Sequence, residues 1–303
     1  MQKRLMRIVI ALGGNALLRK GDRGTSAEQL LAAKSAISSL EPILRQNQVV
    51  LTHGNGPQVG NLLIQQQATD KVAPMPLDVL DAMTQGQIGY FLSTAVSMTG
   101  LHSATLITRV VVDPQDKAFL DPSKPIGPFF DAPPKNLNPQ PGTAYKMDAG
   151  RGYRLFVASP EPLKIREHDA ISALLEKGFV VIAVGGGGIP ITTGGEGLEA
   201  VIDKDSATSL LASNIKADLL VFVTSIDAAY LDFGKKSQKA LGRTKAKDAR
   251  KHLAENHFAE GSMKPKVEAA LRFLDNGGGK AIICSISDIR DALEGKKGTV
   301  FVP

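Results

Sequence analysis

The chain has no tryptophan, a single cysteine and few aromatic residues, 5% of its 303 residues. One cysteine, Cys284, rules out a disulfide framework and fits a reducing compartment. It lies inside Lys280-Ala281-Ile282-Ile283-Cys284, an apolar run that reads as a core strand, so an inert buried thiol is expected. No apolar stretch reaches the ~18 residues of a membrane span. Met1-Gln2-Lys3-Arg4 leads into a short apolar run that soon meets glycines, so no signal peptide is expected and a cytoplasmic location is. Five scattered histidines (His53, His102, His168, His252, His257) show no zinc spacing. The G-x-x-x-x-G-K-[ST] pattern is missing: Gly234-Lys235-Lys236-Ser237 has Ala229 where the first glycine belongs. G-x-G-x-x-G and G-x-S-x-G are missing too, which removes support for hydride transfer on a dinucleotide fingerprint and for α/β-hydrolase chemistry.

Ordinary globular proportions remain, 43% hydrophobic and 22% charged. The net charge of +6 is local. Lys235, Lys236, Lys239, Arg243, Lys245, Lys247, Arg250 and Lys251 stand against Asp248 alone, +7 over one short segment, and the rest is near neutral. With no nucleic-acid motif beside it, this patch reads as a solvated face or a rim that attracts an anionic ligand, and no nucleic-acid partner is expected.

Strands, glycine loops and helices alternate. Arg7–Leu12 is a strand followed by Gly13-Gly14-Asn15; Thr25 and Glu28 offer a capping box for an amphipathic helix reaching about Arg45. Gln48–Thr52 is a second buried strand running into His53-Gly54-Asn55-Gly56-Pro57, with Pro57 suited to a first helical turn. A helix over Leu77 to Met98 carries Gln85-Gly86-Gln87-Ile88-Gly89-Tyr90, whose small residues suit either close packing or function. A strand is expected at Ala104 to Val112. Eight prolines between Asp113 and Gly142 mark an inserted lid, with Lys124 on a stiffened turn, and the chain is expected to rejoin the sheet through Leu155 to Ala158. A helix is expected over Ile165–Glu176. Then comes a buried strand, Val180–Val184, the glycines Gly185 to Gly188, and Asp203-Lys204-Asp205-Ser206 at a helix start, with Ser206 as a cap. A strand over Asp218–Thr224 ends in Ser225-Ile226-Asp227. Ser262 is placed to cap a helix with Pro265 in its first turn. Lys266 there opposes the helix dipole unless it serves a bound anion.

This rhythm predicts a parallel sheet with ligands at the carboxyl ends of its strands. Three glycine loops and well-placed lysines suit phosphoryl transfer, where catalysis is mostly positioning and charge neutralisation. An already ionised acceptor needs no general base.

The chain resembles the carbamate kinases, of the amino-acid kinase fold, from about Arg7 to Val302. The resemblance rests on ALGGNAL (11–17), HGNGPQVGNL (53–62), QGQIGY (85–90), SKPIGPFF (123–130), DAGRGYR (148–154), GGGGIP (185–190), EAVIDKDSA (199–207), FGKKSQKAL (233–241) and GSMKPKV (261–267). It implies one domain over 1–303, a three-layer αβα sandwich with a mainly parallel central sheet. A subdomain (113–154) would protrude from an acceptor-binding half (1–200), beside a nucleotide-binding half (201–303). It implies reversible transfer of the ATP γ-phosphoryl group to carbamate, with Mg²⁺, by a homodimer. Lys124, Lys204 and Lys266 match lysines around the transferring phosphoryl, and Asp205 a carboxylate that orients them. Gly13, Gly14, Asn15, Gly54, Asn55, Gly56, Gly186 and Gly187 match the loops for acceptor and phosphate. Ser225, Asp227, Tyr230, Phe233, Gly234, Lys235, Met263 and Pro265 match the nucleotide site, and no side chain is assigned as a metal ligand. Ser225-Ile226-Asp227 and Ser123 depart from the family's usual residues. Two other readings stay open: an enzyme of this fold for another small carboxylate, and a non-catalytic nucleotide-binding protein that uses the basic patch.

Overall fold

β1 (Arg7–Leu12) is a strand whose two faces are both covered, and the two faces build two different cores. Ile8, Ile10 and Leu12 belong to one cluster, Val9 and Ala11 to the other. Alternation along a strand sends successive side chains to opposite faces, so a run without polar residues requires a layer of helices on each side. The computed structural model describes residues 5–303 apart from 15–16, 19–20, 67, 135–142, 149–151 and 260.

α1 (Ser26–Gln46) begins at the expected capping box: Thr25 Oγ1 accepts from the Glu28 amide, and the Glu28 carboxylate accepts from the Thr25 amide at 2.8 Å. β2 (Gln48–His53), α2 (Gly56–Gln66), α3 (Leu77–Ser97), β3 (Ser103–Thr105) and β4 (Arg109–Val111) follow. The single strand predicted over 104–112 is thus two strands in two sheets. Gln85 of α3 sits at the break: its Oε1 accepts from the Thr108 amide at 2.7 Å, taking a donor that a continuous ladder would use, and its Nε2 donates to the Thr108 carbonyl, which also accepts from the Ile189 amide. Gly89, one helical turn on, lies so close to Thr105 that a Cβ would collide with its methyl group, so this glycine serves helix–strand packing.

β5 (Lys124–Phe130), β6 (Thr143–Met147) and β7 (Tyr153–Val157) form an antiparallel sheet of their own, in the order β5-β7-β6. The segment expected to rejoin the central sheet through Leu155 therefore closes this small sheet instead. The small sheet is seated on α2, where Gly60 leaves no room for a Cβ against the Gly127 backbone. Val59, Leu77, Leu80, Ile126, Val157 and Val201 form the apolar cluster beneath it.

The chain continues through β8 (Lys164–Ile165), α4 (His168–Glu176), β9 (Val180–Ile182), β10 (Ile189–Ile191), α5 (Lys204–Asn214) and β11 (Leu219–Thr224). The helix predicted from Ile165 starts at His168, because Lys164 and Ile165 pair with β4. Then come β12 (Tyr230–Leu231), β13 (Lys239–Ala240), β14 (Arg243–Lys245), α6 (Ala246–Ala254), α7 (Met263–Asp275), β15 (Lys280–Ser285), α8 (Ile289–Leu293) and β16 (Thr299–Val302). The eight-stranded sheet runs β14-β16-β15-β11-β1-β2-β9-β3, parallel throughout except between β15 and β16. α1, α3 and α8 cover one face; α4, α5, α6 and α7 cover the other. The chain is a three-layer αβα sandwich, as predicted. Cys284 is buried in β15, and burial raises its thiol to about 12, which keeps it unreactive. Among the described residues no helix is long and apolar enough to cross a membrane.

Candidate active site

The carboxyl ends of β1, β2 and β9 bring the three glycine loops together. At the first two, two of the glycine amides are taken up by backbone carbonyls. The Gly13 amide donates to the Val223 carbonyl at 3.1 Å, and the Gly54 amide to the Leu12 carbonyl at 3.3 Å. Gly13 is there for closeness, since a Cβ on it would sit 2.9 Å from the Val223 oxygen, whereas one on Gly54 would make only ordinary contacts with Gly14 and the Lys204 side chain. Gly56 opens α2. Asn15 lies outside the described residues. Asn55 is buried, and its side-chain NH₂ donates to Asp81 Oδ1 at 3.0 Å and Thr84 Oγ1 at 2.9 Å. Both amide hydrogens are committed to α3, so Asn55 braces the site. Burial raises the Asp81 carboxyl well above its usual range, and its Oδ2 has no hydrogen-bond partner among the described residues.

The strand predicted over Val180–Val184 stops at Ile182, because Val184 is left-handed, φ 53°. A β-branched residue in that region is strained. Its amide is held by Thr108 Oγ1 at 3.0 Å, and Gln85 Nε2 donates to the Gly185 carbonyl at 3.1 Å. Gln85 of the QGQIGY motif thus fixes the turn from both sides. A Cβ on Gly185 would strike His53, one on Gly186 the Asn55 amide, and one on Gly187 the Ile202 carbonyl. Gly186 and Gly187 have positive φ as well, so the loop threads between β2 and the segment entering α5 as only glycine can. Burial keeps His53 neutral at neutral pH, holding its imidazole down to about 4, with the Lys204 charge acting the same way.

α5 starts beside this loop. Asp203, rather than Ser206, is its cap: Asp203 Oδ1 accepts from the amides of Asp205 at 2.9 Å and Ser206 at 3.1 Å. The other oxygen, Oδ2, accepts from Lys124 Nζ at 2.6 Å, tying the small sheet to the helix start. Asp203 was legible only as one of three charges; its position two residues before a free amide was the unused signal. Lys204 and Lys266 share Asp205. Lys204 Nζ lies 2.8 Å from Oδ1 and Lys266 Nζ 2.9 Å from Oδ2. Burial alone would raise the Asp205 carboxyl, but the two ammonium groups hold it well below the usual carboxylate range. Burial lowers Lys204, partly offset by Asp205. The Lys204 ammonium is buried and out of line for a hydrogen bond with any described residue, so its donors suit an added anion. Ser262 precedes α7 but makes no side-chain cap; its carbonyl accepts from Lys266 Nζ at 3.2 Å instead. Lys266 at a helix N-terminus is accommodated by Asp205. Three lysines against two carboxylates leave one net positive charge.

The residues expected around a nucleotide lie in two groups. Tyr230 donates to Asp227 Oδ1 at 2.9 Å and packs tilted against the exposed Phe233, ring centres 5.9 Å apart. The Gly234 amide donates to Gln238 Oε1, and Lys235 pairs with Asp232 at 3.0 Å. Ser225 follows the end of β11 directly. Pro265 is in the first turn of α7, and Met263 is buried in the core with Val267, which leaves it little surface to offer a ligand.

A parallel α/β sandwich with glycine turns and a buried lysine–carboxylate cluster at its strand ends defines a phosphotransferase type of site. The model of the amino acid kinase family matches residues 6–285, and the chain belongs to that family. Carbamate kinase of Thermococcus kodakarensis is 44% identical over 98% of this chain and 99% of its own length; that of Oenococcus oeni is 43% identical over 97% and 98%. The structure of carbamate kinase from Giardia lamblia bound to AMP-PNP is 39% identical, with a TM-score of 0.90 over 98% of both chains. Within the family, this chain is a carbamate kinase-like phosphotransferase.

Proposed function

We propose that the chain catalyses reversible phosphoryl transfer between ATP and carbamate, working towards ATP from carbamoyl phosphate in the catabolism of arginine or a related nitrogen compound. The observation that carries the proposal is the sharing of one buried carboxylate, Asp205, by Lys204 and Lys266 beside the glycine turns. In the ATP-forming direction an ADP β-phosphate oxygen attacks the phosphorus, the bond to the carbamate oxygen breaks, and carbamate leaves as an anion. No proton has to move, which agrees with a site whose nearest histidine, His53, is neutral and wedged against Gly185. Charge spreads over the equatorial phosphoryl oxygens in the transition state, and buried ammonium groups fixed in advance stabilise it without reorganising. Lys204 and Lys266 do this, Asp205 aims them, and Lys124 closes over the acceptor from the small sheet.

The residues around the Gly14, Gly54 and Gly186 turns form the acceptor side (1–200, with 113–154 as the lid), and the nucleotide lies over 201–303 beside Tyr230, Phe233, Gly234 and Lys235. The site suits Mg²⁺ as a companion of the nucleotide: both Asp205 oxygens face lysines, and Asp203 is divided between Lys124 and two amides, so the ion would be held mainly by phosphate oxygens. Bound there, it neutralises phosphate charge. A cytoplasmic homodimer completes the proposal. The test is ATP formation from carbamoyl phosphate and ADP, for the native chain and Lys266→Ala. A fall of about 10²–10³ in kcat is expected for the variant. Equal rates would remove Lys266 from the mechanism, and no turnover by the native chain would remove the reaction.

A further inference from the structure

α6 ends in a turn that brings two histidines together. Glu255 is the last half-helical residue and Asn256 is left-handed, φ 56°. The Asn256 amide donates to the Leu253 carbonyl at 3.0 Å and the His257 amide to the His252 carbonyl at 3.2 Å. This pair of bonds is the Schellman motif, which folds the residue after the turn back over the last helical turn. An apolar contact usually occupies that spot. Here it holds two imidazoles, ring centres 5.6 Å apart, with a carboxylate between them.

Glu255 Oε2 lies 3.6 Å from His252 Nδ1 and 3.3 Å from His257 Nε2. Metal–ligand bonds of 2.0–2.1 Å in a tetrahedron set ligand atoms about 3.3 Å apart. All three candidate ligand atoms lie within 4.8 Å of one another. His252 Nδ1 is buried and has no hydrogen-bond partner among the described residues. His257 directs its other nitrogen, Nδ1, at Asp232 Oδ1, 3.3 Å away, and Asp232 is itself fixed by Ser237 and Lys235 at 3.0 Å each. A carboxylate behind the far nitrogen is the usual support of a metal-bound histidine, since it sets tautomer and ring orientation. Glu255 also places a negative charge at the negative end of a helix, which a bound cation would offset.

We infer that His252 Nδ1, Glu255 Oε2 and His257 Nε2 form a binding site for a divalent transition metal of the zinc type, with Asp232 as the orienting carboxylate and a fourth position open to water. Its ligands lie at the end of α6 and in the turn after it and do not include Lys204, Asp205 or Lys266, and the site is additional to any Mg²⁺ carried by a nucleotide. Its surroundings select the metal. The basic segment repels a hard dication held by charge alone, whereas imidazole ligands favour zinc and its neighbours.

Titration calorimetry of the full chain with Zn²⁺, without nucleotide, tests this. One equivalent is expected to bind with micromolar or tighter affinity, undisturbed by millimolar Mg²⁺. His252→Gln and His257→Gln are each expected to weaken it at least tenfold. Asp232→Asn, which leaves all three ligands in place, is expected to weaken it roughly tenfold to a hundredfold. Circular dichroism of each variant establishes that it is folded. Absence of a saturable equivalent in the native chain, displacement by Mg²⁺, or native affinity in folded His257→Gln would each overturn the assignment.

Discussion

Two lysine–aspartate arrangements flank the same glycine turns, and they differ in depth. Lys204 and Lys266 close on Asp205 with side chains 14%, 15% and 6% exposed, whereas Lys124 and Asp203 meet with 34% and 26% exposed. The first is built from two helix starts, α5 and α7, packed on one face of the main sheet. The second joins the start of α5 to a separate small sheet resting on α2. A buried ionic cluster carries a heavy desolvation cost and loses far more when one member is removed than when it is intact. A half-exposed pair is worth little. The buried set is therefore permanent, charged equipment, and the outer pair is a fastening that can be exchanged for contacts with a ligand.

The sharpest way to break this contrast is Asp205→Asn, which leaves two buried ammonium groups facing each other. A loss of about 3–5 kcal/mol is expected in denaturant unfolding at neutral pH, together with loss of turnover. The pH dependence has a definite sign. The folded Asp205 carboxyl lies below its usual range, so the unfolded chain takes up that proton first. The stability that Asp205 contributes is present above about pH 4 and is lost as pH falls further, so native and variant curves should converge only in acid.

Gly60→Ala comes next. It forces the small sheet off α2 at Gly127 without altering a member of the Lys204–Asp205–Lys266 cluster. Displacing Lys124 in this way is expected to lower kcat/KM roughly tenfold to a hundredfold, with the response of stability to acid unchanged. The smallest effect belongs to Lys124→Gln measured by unfolding, where a change of about 1 kcal/mol or less is expected. A loss as large as that for Asp205→Asn would erase the distinction between the two arrangements.

Much of this was legible in the sequence, and the part that was not has a common cause. Buried strands such as Arg7–Leu12, the Thr25–Glu28 box and the glycine turns are local patterns, readable without knowing what lies opposite. The resemblance supplied the lysines, and the structure brings Lys204 and Lys266 onto one carboxylate and Lys124 onto its neighbour. What failed were statements that depended on long-range partners. Nothing near Ala104–Val112 reveals that the strand breaks where Gln85 meets Thr108. Nothing near Val184 reveals a left-handed turn held by Thr108. That the Gly13 and Gly54 amides go to the carbonyls of Val223 and Leu12 is equally invisible locally, because those partners lie on other strands. Asp81 and Thr84 escaped notice, and His53 was read only as a scattered histidine and a motif residue, for the same reason: each matters through what it presses against.

The most direct measurement is steady-state ATP formation from carbamoyl phosphate and ADP by Lys204→Met. Lys204 is buried against the preference of its charge, so methionine at this position should cost less stability than asparagine at 205. If the buried lysines hold the transferring phosphoryl, kcat should fall by about 10²–10³ in a folded protein with KM for ADP little changed. A folded Lys204→Met variant that keeps the native kcat would contradict that role.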